Sequence, residues 1–325
     1  MKTPFRRRCF QALVAACVLS TLAPVHAQDS DRPLRFIVPL SPGSTGDMVG
    51  RTLGQALNKT MNRPVVVENI PGAGGMLGTA QMLRAAKDGS TLALVTSTHV
   101  INPNIYKNMS FDTIKDVTPI SIIGGSPGIL LVNPKLPVHN LKELIAYAKA
   151  NPGQLNYGSS GNGTSLHLLA VMLAQEAKIE MMHVPYKGNA PLLADLIGGQ
   201  VQLAFQSTAA AAPLVKAGTL RPIGISTTSR SRILPDVPTL AEQGLTNCNL
   251  GSWMAILGPA GMPADVVQRE NRQVLEALAL PEVKEWFAAQ DFELVGNSPA
   301  DASKYLQSEL VKHTKLVQES GAKLQ

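Results

Sequence analysis

Short apolar runs alternate with amphipathic, helix-like segments along most of the chain. The runs Leu34–Val38, Pro64–Asn69 and Thr91–Thr96 predict buried strands, and the segments Met48–Thr60 and Met76–Ala86 between them predict helices. Strands that alternate with helices in this way favour a parallel sheet covered by helices. The pattern therefore predicts an α/β protein.

A second α/β unit follows a glycine-rich stretch in the middle of the chain. Ile120–Ile123 and Ile129–Val132 flank Gly124–Gly128, which we interpret as a crossover between two domains, and Gly251–Leu257 as the return crossover. Helices are expected from residue 264 to residue 320, back in the first domain. Two crossover strands permit hinge closure. The predicted domains are residues 28–127 with 252–325 for the first, and residues 128–251 for the second.

Two loops of similar composition each follow a strand and precede a helix. Residues 41–47 read Ser-Pro-Gly-Ser-Thr-Gly-Asp, and residues 158–164 read Gly-Ser-Ser-Gly-Asn-Gly-Thr. Glycine lets backbone N–H groups approach a ligand closely, and a helix N-terminus favours negative charge. Asp47 is expected to cap the helix that starts at Met48. Because neither loop contains Lys or Arg, we expect a small anion to be bound through backbone N–H groups, hydroxyls and water.

The first 27 residues have the features of an export signal. Lys2 and Arg6–Arg8 precede an apolar stretch, and Val25-His26-Ala27 is a small-residue cleavage site, so the mature chain is expected to begin near Gln28 in the periplasm. Arg7-Arg8 leaves open whether export uses the general or the twin-arginine pathway. The sequence also leaves open whether Cys17 carries a lipid.

Removal of this signal changes what the charge implies. The full chain has a formal net charge of +6, but residues 1–27 hold four of its 29 basic residues and no acidic one, which leaves 25 basic against 23 acidic side chains. This balance argues against a nucleic-acid partner. Of the three cysteines only Cys248 remains, so an internal disulfide is excluded. No apolar stretch after residue 27 is long enough to span a bilayer.

Three kinds of chemistry lack their sequence signatures. The spacing of Gly72 to Gly78 is not that of a dinucleotide fingerprint, and no H-x-x-x-H pair suggests a metal site, so neither a cofactor nor a metal is expected. The motif around Ser160 ends in Asn162 where a nucleophile elbow requires glycine. His99 and His167 lie close to the loops and are expected mainly to make structural hydrogen bonds. Trp253 either lines the cleft or packs in the hinge.

An ordered series of short motifs resembles one known family. The series contains Ile-Val-Pro at 37–39, Pro-Gly at 42–43 with Asp47, Pro-Val-Val-Val-Glu-Asn at 64–69, and Pro-Gly-Ala-Gly-Gly at 71–75. It continues with Asn-Tyr at 156–157, Ser-Ser-Gly-Asn-Gly-Thr at 159–164, Val-Pro-Tyr-Lys-Gly at 184–188, and Leu-Pro-Asp-Val-Pro-Thr at 234–239. Over nearly all of residues 34–300 the chain is similar to the Bug-type periplasmic receptors of tripartite tricarboxylate transporters.

The resemblance implies a two-domain Venus-flytrap fold of the type II periplasmic-binding-protein class, without catalysis. It implies capture of a small carboxylate and its delivery to the membrane permease subunits, by a protein expected to be a monomer. An exported α/β hydrolase or esterase is the alternative. Two departures from the family pattern, Ser44 in place of glycine and Gln206-Ser207 in place of Asp-Asn, leave the ligand open. The expected ligand-binding residues are Ser41, Pro42, Gly43, Ser44, Thr45, Gly46, Asp47, Gly75, Ser97, Thr98, Ser159, Ser160, Gly161, Asn162, Gly163, Thr164, Tyr186, Gln206 and Ser207.

Overall fold

A computed structural model describes residues 32–106 and 108–319, so the predicted export signal and its cleavage site lie outside the described residues. Ten strands form the framework. They are β1 (Leu34–Val38), β2 (Val65–Asn69), β3 (Thr91–Thr96), β4 (Val117–Val132), β5 (Leu155–Ser159), β6 (Met181–Pro185), β7 (Leu203–Ser207), β8 (Arg221–Ile225), β9 (Gly251–Pro259) and β10 (Glu293–Leu294).

Ten α-helices pack on this framework within the described part of the chain. They are α1 (Thr45–Thr60), α2 (Met76–Leu83), α3 (Thr98–Ile101), α4 (Leu141–Ala150), α5 (Ser165–Ala177), α6 (Asn189–Gly198), α7 (Thr208–Lys216), α8 (Ala264–Ala279), α9 (Pro281–Ala289) and α10 (Pro299–Glu319). Short 3₁₀ turns at Ala73–Gly75 and Asn102–Asn104 adjoin α2 and α3.

Each half of the sheet contains a set of three parallel strands. In the first half β1 lies between β2 and β3, and all three run in the same direction. In the second half β5 lies between β6 and β7, again in parallel. The α/β prediction is confirmed, and the sheet as a whole is mixed because β4, β8, β9 and β10 add antiparallel pairs.

One long strand passes through both halves of the sheet. Residues Val117–Pro127 of β4 pair with β9, and residues Gly128–Val132 pair with β7 and β8. The sequence predicted two strands separated by a glycine crossover. Instead, the glycines belong to the strand itself, with register shifts near Pro119 and Ile122. The predicted domain boundary at residue 127 coincides with this change of partners, and the boundary itself stays a prediction.

The register of these pairs brings the carboxyl ends of both parallel sets to one place. Thr96, the last residue of β3, is level with Met254 on β9, and Met254 is level with Gly124 on β4. Ser207, the last residue of β7, is level with Gly128. The two edges therefore converge on the short stretch of β4 between Gly124 and Gly128. Loops at the carboxyl ends of parallel strands are where α/β proteins bind ligands.

Apolar packing divides along the same lines, except at α10 and at Ile101 and Ile105, which pack in the cluster of the second half. The cluster around Phe36, Leu53 and Phe287 packs α1, α8 and α9 against the first half of the sheet. The C-terminal helix α10 was predicted to complete the first domain. Its Leu306 packs there, but Val317 near its end packs among residues of the second half such as Leu173. Thus α10 joins both halves in addition to the crossover strands.

Ser226 offers a direct test of the strand crossing. It is buried, its Oγ accepts the Gly128 amide at 2.9 Å, and it donates to the Leu250 carbonyl at 2.7 Å. We expect Ser226→Ala to leave both backbone groups unpaired and to lower the free energy of unfolding by about 1–3 kcal/mol. Urea denaturation measures this change. The exposed Ser229→Ala is the matched control, and equal midpoints for the two variants would contradict this role.

Candidate functional site

The first loop is closed by two reciprocal hydrogen bonds. Ser44 is the N-cap of α1, and its side chain accepts the Asp47 amide at 3.2 Å. The Asp47 carboxylate reaches back and accepts the Gly43 amide at 2.8 Å, where Gly43 has a left-handed φ of +77°. This is a variant of the capping box, in which the side chain at the third helical position accepts the amide of the residue before the N-cap. The expectation that Asp47 caps a helix starting at Met48 was wrong. Ser44 is the N-cap instead, and the helix starts three residues earlier, at Thr45.

The negative charge of Asp47 is compensated within the loop. Its other oxygen lies 3.0 Å from the Arg51 Nε, one helical turn on. Burial tends to raise the Asp47 pKa, but the Gly43 amide and the Arg51 guanidinium outweigh burial and lower it. Arg51 also donates to the Asn69 side chain at 3.0 Å. The guanidinium nearest this loop is therefore engaged by the protein itself.

The second loop repeats the same geometry with different chemistry. Thr164 is the N-cap of α5, and its side chain accepts the His167 amide at 3.2 Å. The His167 Nδ1 accepts the Gly163 amide at 3.0 Å, and Gly163 has a φ of +71°. Gly163-Thr164 and His167 thus correspond to Gly43-Ser44 and Asp47. The two loops match in structure at these positions.

A stack of three rings lies beneath the second loop. The His167 and His183 rings are 4.0 Å apart and nearly parallel, and Tyr157 lies 4.9 Å from His183. The His183 Nε2 is 2.7 Å from the Ser159 Oγ, which also donates to the Gly161 carbonyl. Sequence reasoning missed this stack, since its members come from β5, α5 and β6. Only parallel pairing of β5 with β6 brings Tyr157 level with His183.

Burial keeps these imidazoles neutral. It lowers the His167 pKa to about 3, with a further contribution from the proximity of His183, and it also lowers the His183 pKa. Because the His167 Nδ1 accepts a hydrogen bond, the neutral ring carries its proton on Nε2. The second loop is therefore held by an uncharged acceptor.

Several buried polar side chains lack a partner among the described residues at the converging strand ends. The Gln206 amide is fully buried with neither atom hydrogen-bonded, and the same holds for the hydroxyls of Ser97 and Thr208. Buried polar groups in proteins are almost always paired. These three side chains therefore mark a place where a ligand or water is expected. Thr208 was not predicted from the sequence, although it directly follows Ser207.

The other predicted residues lie around these groups. Ser207 is the N-cap of α7, and the Tyr186 amide donates to the Ser159 carbonyl, which places Tyr186 beside the second loop. Tyr186 also donates its hydroxyl to Asp195. Gly75 packs against Pro39, close to the first loop. Thr98 begins α3, directly after the buried Ser97.

The remaining candidate groups have structural partners. The His99 ring is buried and its Nε2 contacts the Thr113 carbonyl at 2.8 Å. Trp253 lies in β9, is buried, and its indole donates to Glu309 at 2.8 Å. Within residues 32–106 and 108–319, no cluster of three potential metal ligands occurs. No helix in the same ranges is long and apolar enough to cross a membrane.

A cavity of about 460 Å³ lies at the strand crossing. Of the candidates from the sequence, Trp253 lines it, whereas none of the expected ligand-binding residues does. Its buried acids already have partners: Asp291 accepts from the Ser231 hydroxyl and the Arg232 amide, and Glu309 accepts from Trp253. A cavity of only about 10 Å³ lies between Pro39, Gly75 and Asn102. We favour the strand ends as the site because buried polar groups there lack partners, whereas the buried acids of the larger cavity are paired.

Fold and site together define an α/β solute-binding receptor. The model of the tripartite tricarboxylate transporter family receptor, TctC, matches residues 49–322. Protein BugT of Bordetella pertussis is 34% identical over 305 residues, which cover 93% of this chain and 94% of BugT. The chain therefore belongs to the TctC receptor family, a family of solute-binding receptors.

Solved structures agree with this assignment. Rpa4515 of R. palustris, solved with adipate, is 29% identical, with a TM-score of 0.84 over 90% of this chain and 98% of that one. MatC of Rhodopseudomonas palustris, solved with bound malate, is 27% identical, with a TM-score of 0.81 over 88% of this chain and 99% of that one. Both comparisons extend over the two halves of the sheet, and they confirm the predicted fold class.

The burial of His99 predicts a dependence of stability on pH. Burial lowers its pKa from 6.5 to about 4, against the opposing effect of the Thr113 carbonyl. As the pH falls from 6.5 to 4, the unfolded chain takes up a proton that the folded chain does not, so stability falls by up to about 1.4 kcal/mol per pH unit. We expect His99→Gln to remove this part of the slope in denaturation series from pH 7 to 4. The exposed His139→Gln is the control, and an unchanged slope in His99→Gln would contradict the assignment.

Proposed function

We propose that the chain is a periplasmic receptor that captures a small organic acid, or a related small molecule, between its two lobes. In this proposal residues 1–27 direct export and are removed near Ala27. The loaded receptor then delivers its ligand to the permease subunits of a tripartite tricarboxylate transporter. The observation that carries the proposal is the convergence of two capped helix N-termini and three unpartnered buried polar side chains on one edge.

The chemistry of this edge suits a carboxylate. Helix N-termini favour negative charge, and a hydrogen bond to a charged group contributes about 1.5–3 kcal/mol. Adipate and malate in two related receptors support the same class of ligand. The proposed ligand contacts are residues 41–47 and 159–164 with Gly75, Ser97, Thr98, Tyr186, Gln206 and Ser207, to which we add Thr208.

An exported hydrolase is the alternative, and one observation favours it. Ser159 and His183 are within hydrogen-bond distance, as a nucleophile and its base must be. Two observations oppose it: Ser159 is only 2% exposed, and its hydroxyl donates to the Gly161 carbonyl. The pair is better suited to holding the loop than to attacking a substrate. We infer a receptor without catalytic activity.

One panel of compounds separates the two functions. The purified mature chain is titrated with mono-, di- and tricarboxylates, among them malate and adipate, and with the corresponding esters and amides. Saturable heat in calorimetry and a raised melting temperature, with no product formed, support a receptor. Ester turnover that is lost in Ser159→Ala would establish the hydrolase instead.

A smaller radius of gyration with ligand in solution scattering tests the closure of the two lobes.

If the ligand contacts the backbone of both loops, a side chain added in either loop weakens ligand binding. We expect Gly43→Val and Gly161→Val each to abolish the ligand-induced rise in melting temperature, since both glycines have positive φ and a branched side chain blocks access to the amides. Gly218→Val is the matched control, because Gly218 has a φ of +68° and open space around it but lies outside the loops. Wild-type ligand binding by either loop variant would argue against a site that needs both loops.

The absence of Lys and Arg from both loops predicts a weak dependence on salt. Arg51 is held by Asp47 and Asn69, so a ligand carboxylate meets neutral donors. Neutral donors are little affected by screening. Calorimetric titrations at low and high ionic strength are expected to give similar affinities. A loss of about tenfold or more at high salt would show that a cation clamps the ligand.

A further inference from the structure

The two capping boxes differ in the chemistry of the side chain that accepts the glycine amide. In both loops a side chain at the third helical position accepts the amide of the glycine before the cap. In the first loop the acceptor is the carboxylate of Asp47, whose charge is matched by Arg51. In the second loop the acceptor is the imidazole of His167. The same backbone geometry is thus held once by an ion and once by a neutral ring.

The surroundings of His167 keep its orientation defined. Its ring is buried, it stacks on His183 at 4.0 Å, and its Nδ1 is 3.0 Å from the Gly163 nitrogen. His183 in turn is held through Ser159, whose hydroxyl contacts Gly161 in the same loop. The two imidazoles therefore support the loop at both ends. The Gly163 backbone packs closely on the Ile105 side chain, with which a Cβ at this position would collide.

We propose that His167 is a positioning residue for anion binding, which holds the second loop as Asp47 holds the first but adds no negative charge beside the ligand. The inference rests on the proposed receptor function. Its physical basis is that a carboxylate at the third position of α5 would occupy the positive end of the helix dipole and repel a ligand carboxylate. A neutral acceptor keeps the loop shape and leaves that end of the helix to the ligand. The second loop is then the stronger anion site of the two.

Three substitutions of His167 distinguish the effect of loop shape on ligand binding from the effect of charge. Asn places an acceptor oxygen close to the position of the His Nδ1, Asp places a charged oxygen there, and Leu offers no acceptor. We expect His167→Asn to bind malate or adipate within about threefold of wild type, and His167→Leu to bind about tenfold more weakly or worse. At pH 8, where a carboxyl group is ionised, we expect His167→Asp to bind about tenfold more weakly than His167→Asn. His139→Asn, at an exposed site, is the control for loss of a histidine.

A second readout needs no ligand. In nuclear magnetic resonance spectra of the ligand-free protein, the Gly163 amide is expected to be protected from exchange in wild type, His167→Asn and His167→Asp, and unprotected in His167→Leu. The ring nitrogen shifts of wild type are expected to show Nδ1 without a proton. A purely structural role would lower the melting temperature of all three variants without this pattern.

The outcomes are distinguishable. Equal affinities of His167→Leu and wild type, or of His167→Asp and His167→Asn, overturn the inference. If His167→Asp does not fold, the Asn and Leu pair decides it. If wild type binds no acid in the panel, the receptor proposal fails. The Gly163 amide still decides whether His167 positions the loop.

Discussion

The structure depends on a single strand that is hydrogen-bonded in both halves of the sheet. Because β4 pairs with β9 up to Pro127 and with β7 and β8 from Gly128, the ends of two separate sets of parallel strands are held at the same point along one backbone. Strand register is specified residue by residue, since a slip of one position would turn every side chain to the other face. The position of each loop relative to the other therefore follows from hydrogen bonds along β4.

The surface around that point is polar, and its loops contain no uncompensated charge. Each loop is closed by a capping box, so the backbone is shaped before a ligand arrives. Pre-shaped loops reduce the ordering cost of binding. The one carboxylate in the loops, that of Asp47, is compensated by Arg51, and the second loop uses an imidazole kept neutral by burial. Such a surface suits the proposed capture and release of an anion.

Paired and unpaired polar groups distinguish the large cavity at the strand crossing from the converging strand ends. At the larger one, Asp291 ties the segment around Ser231 to the end of α9, and Glu309 ties α10 to Trp253. The Asp291 pair joins residues of the two predicted domains, whereas the Glu309 pair fixes α10 on β9 within the first. At the strand ends, Ser97, Gln206 and Thr208 are buried without such partners. Unpaired buried groups carry a cost that a bound ligand can offset.

The sequence by itself determined the alternation of strands and helices, the two small-residue loops and the family resemblance, because periodicity and glycine placement act over short stretches. It did not determine that Ser44 rather than Asp47 caps α1, since both residues are good caps and local hydrogen bonding chooses between them. Nor could it show that β4 is continuous, or that Tyr157, His167 and His183 stack, because these contacts join residues far apart in the chain. Only the tertiary structure brings His183 onto the His167 imidazole that stands where the first loop has a carboxylate, and it does so through the parallel pairing of β5 with β6 and the packing of α5 against them.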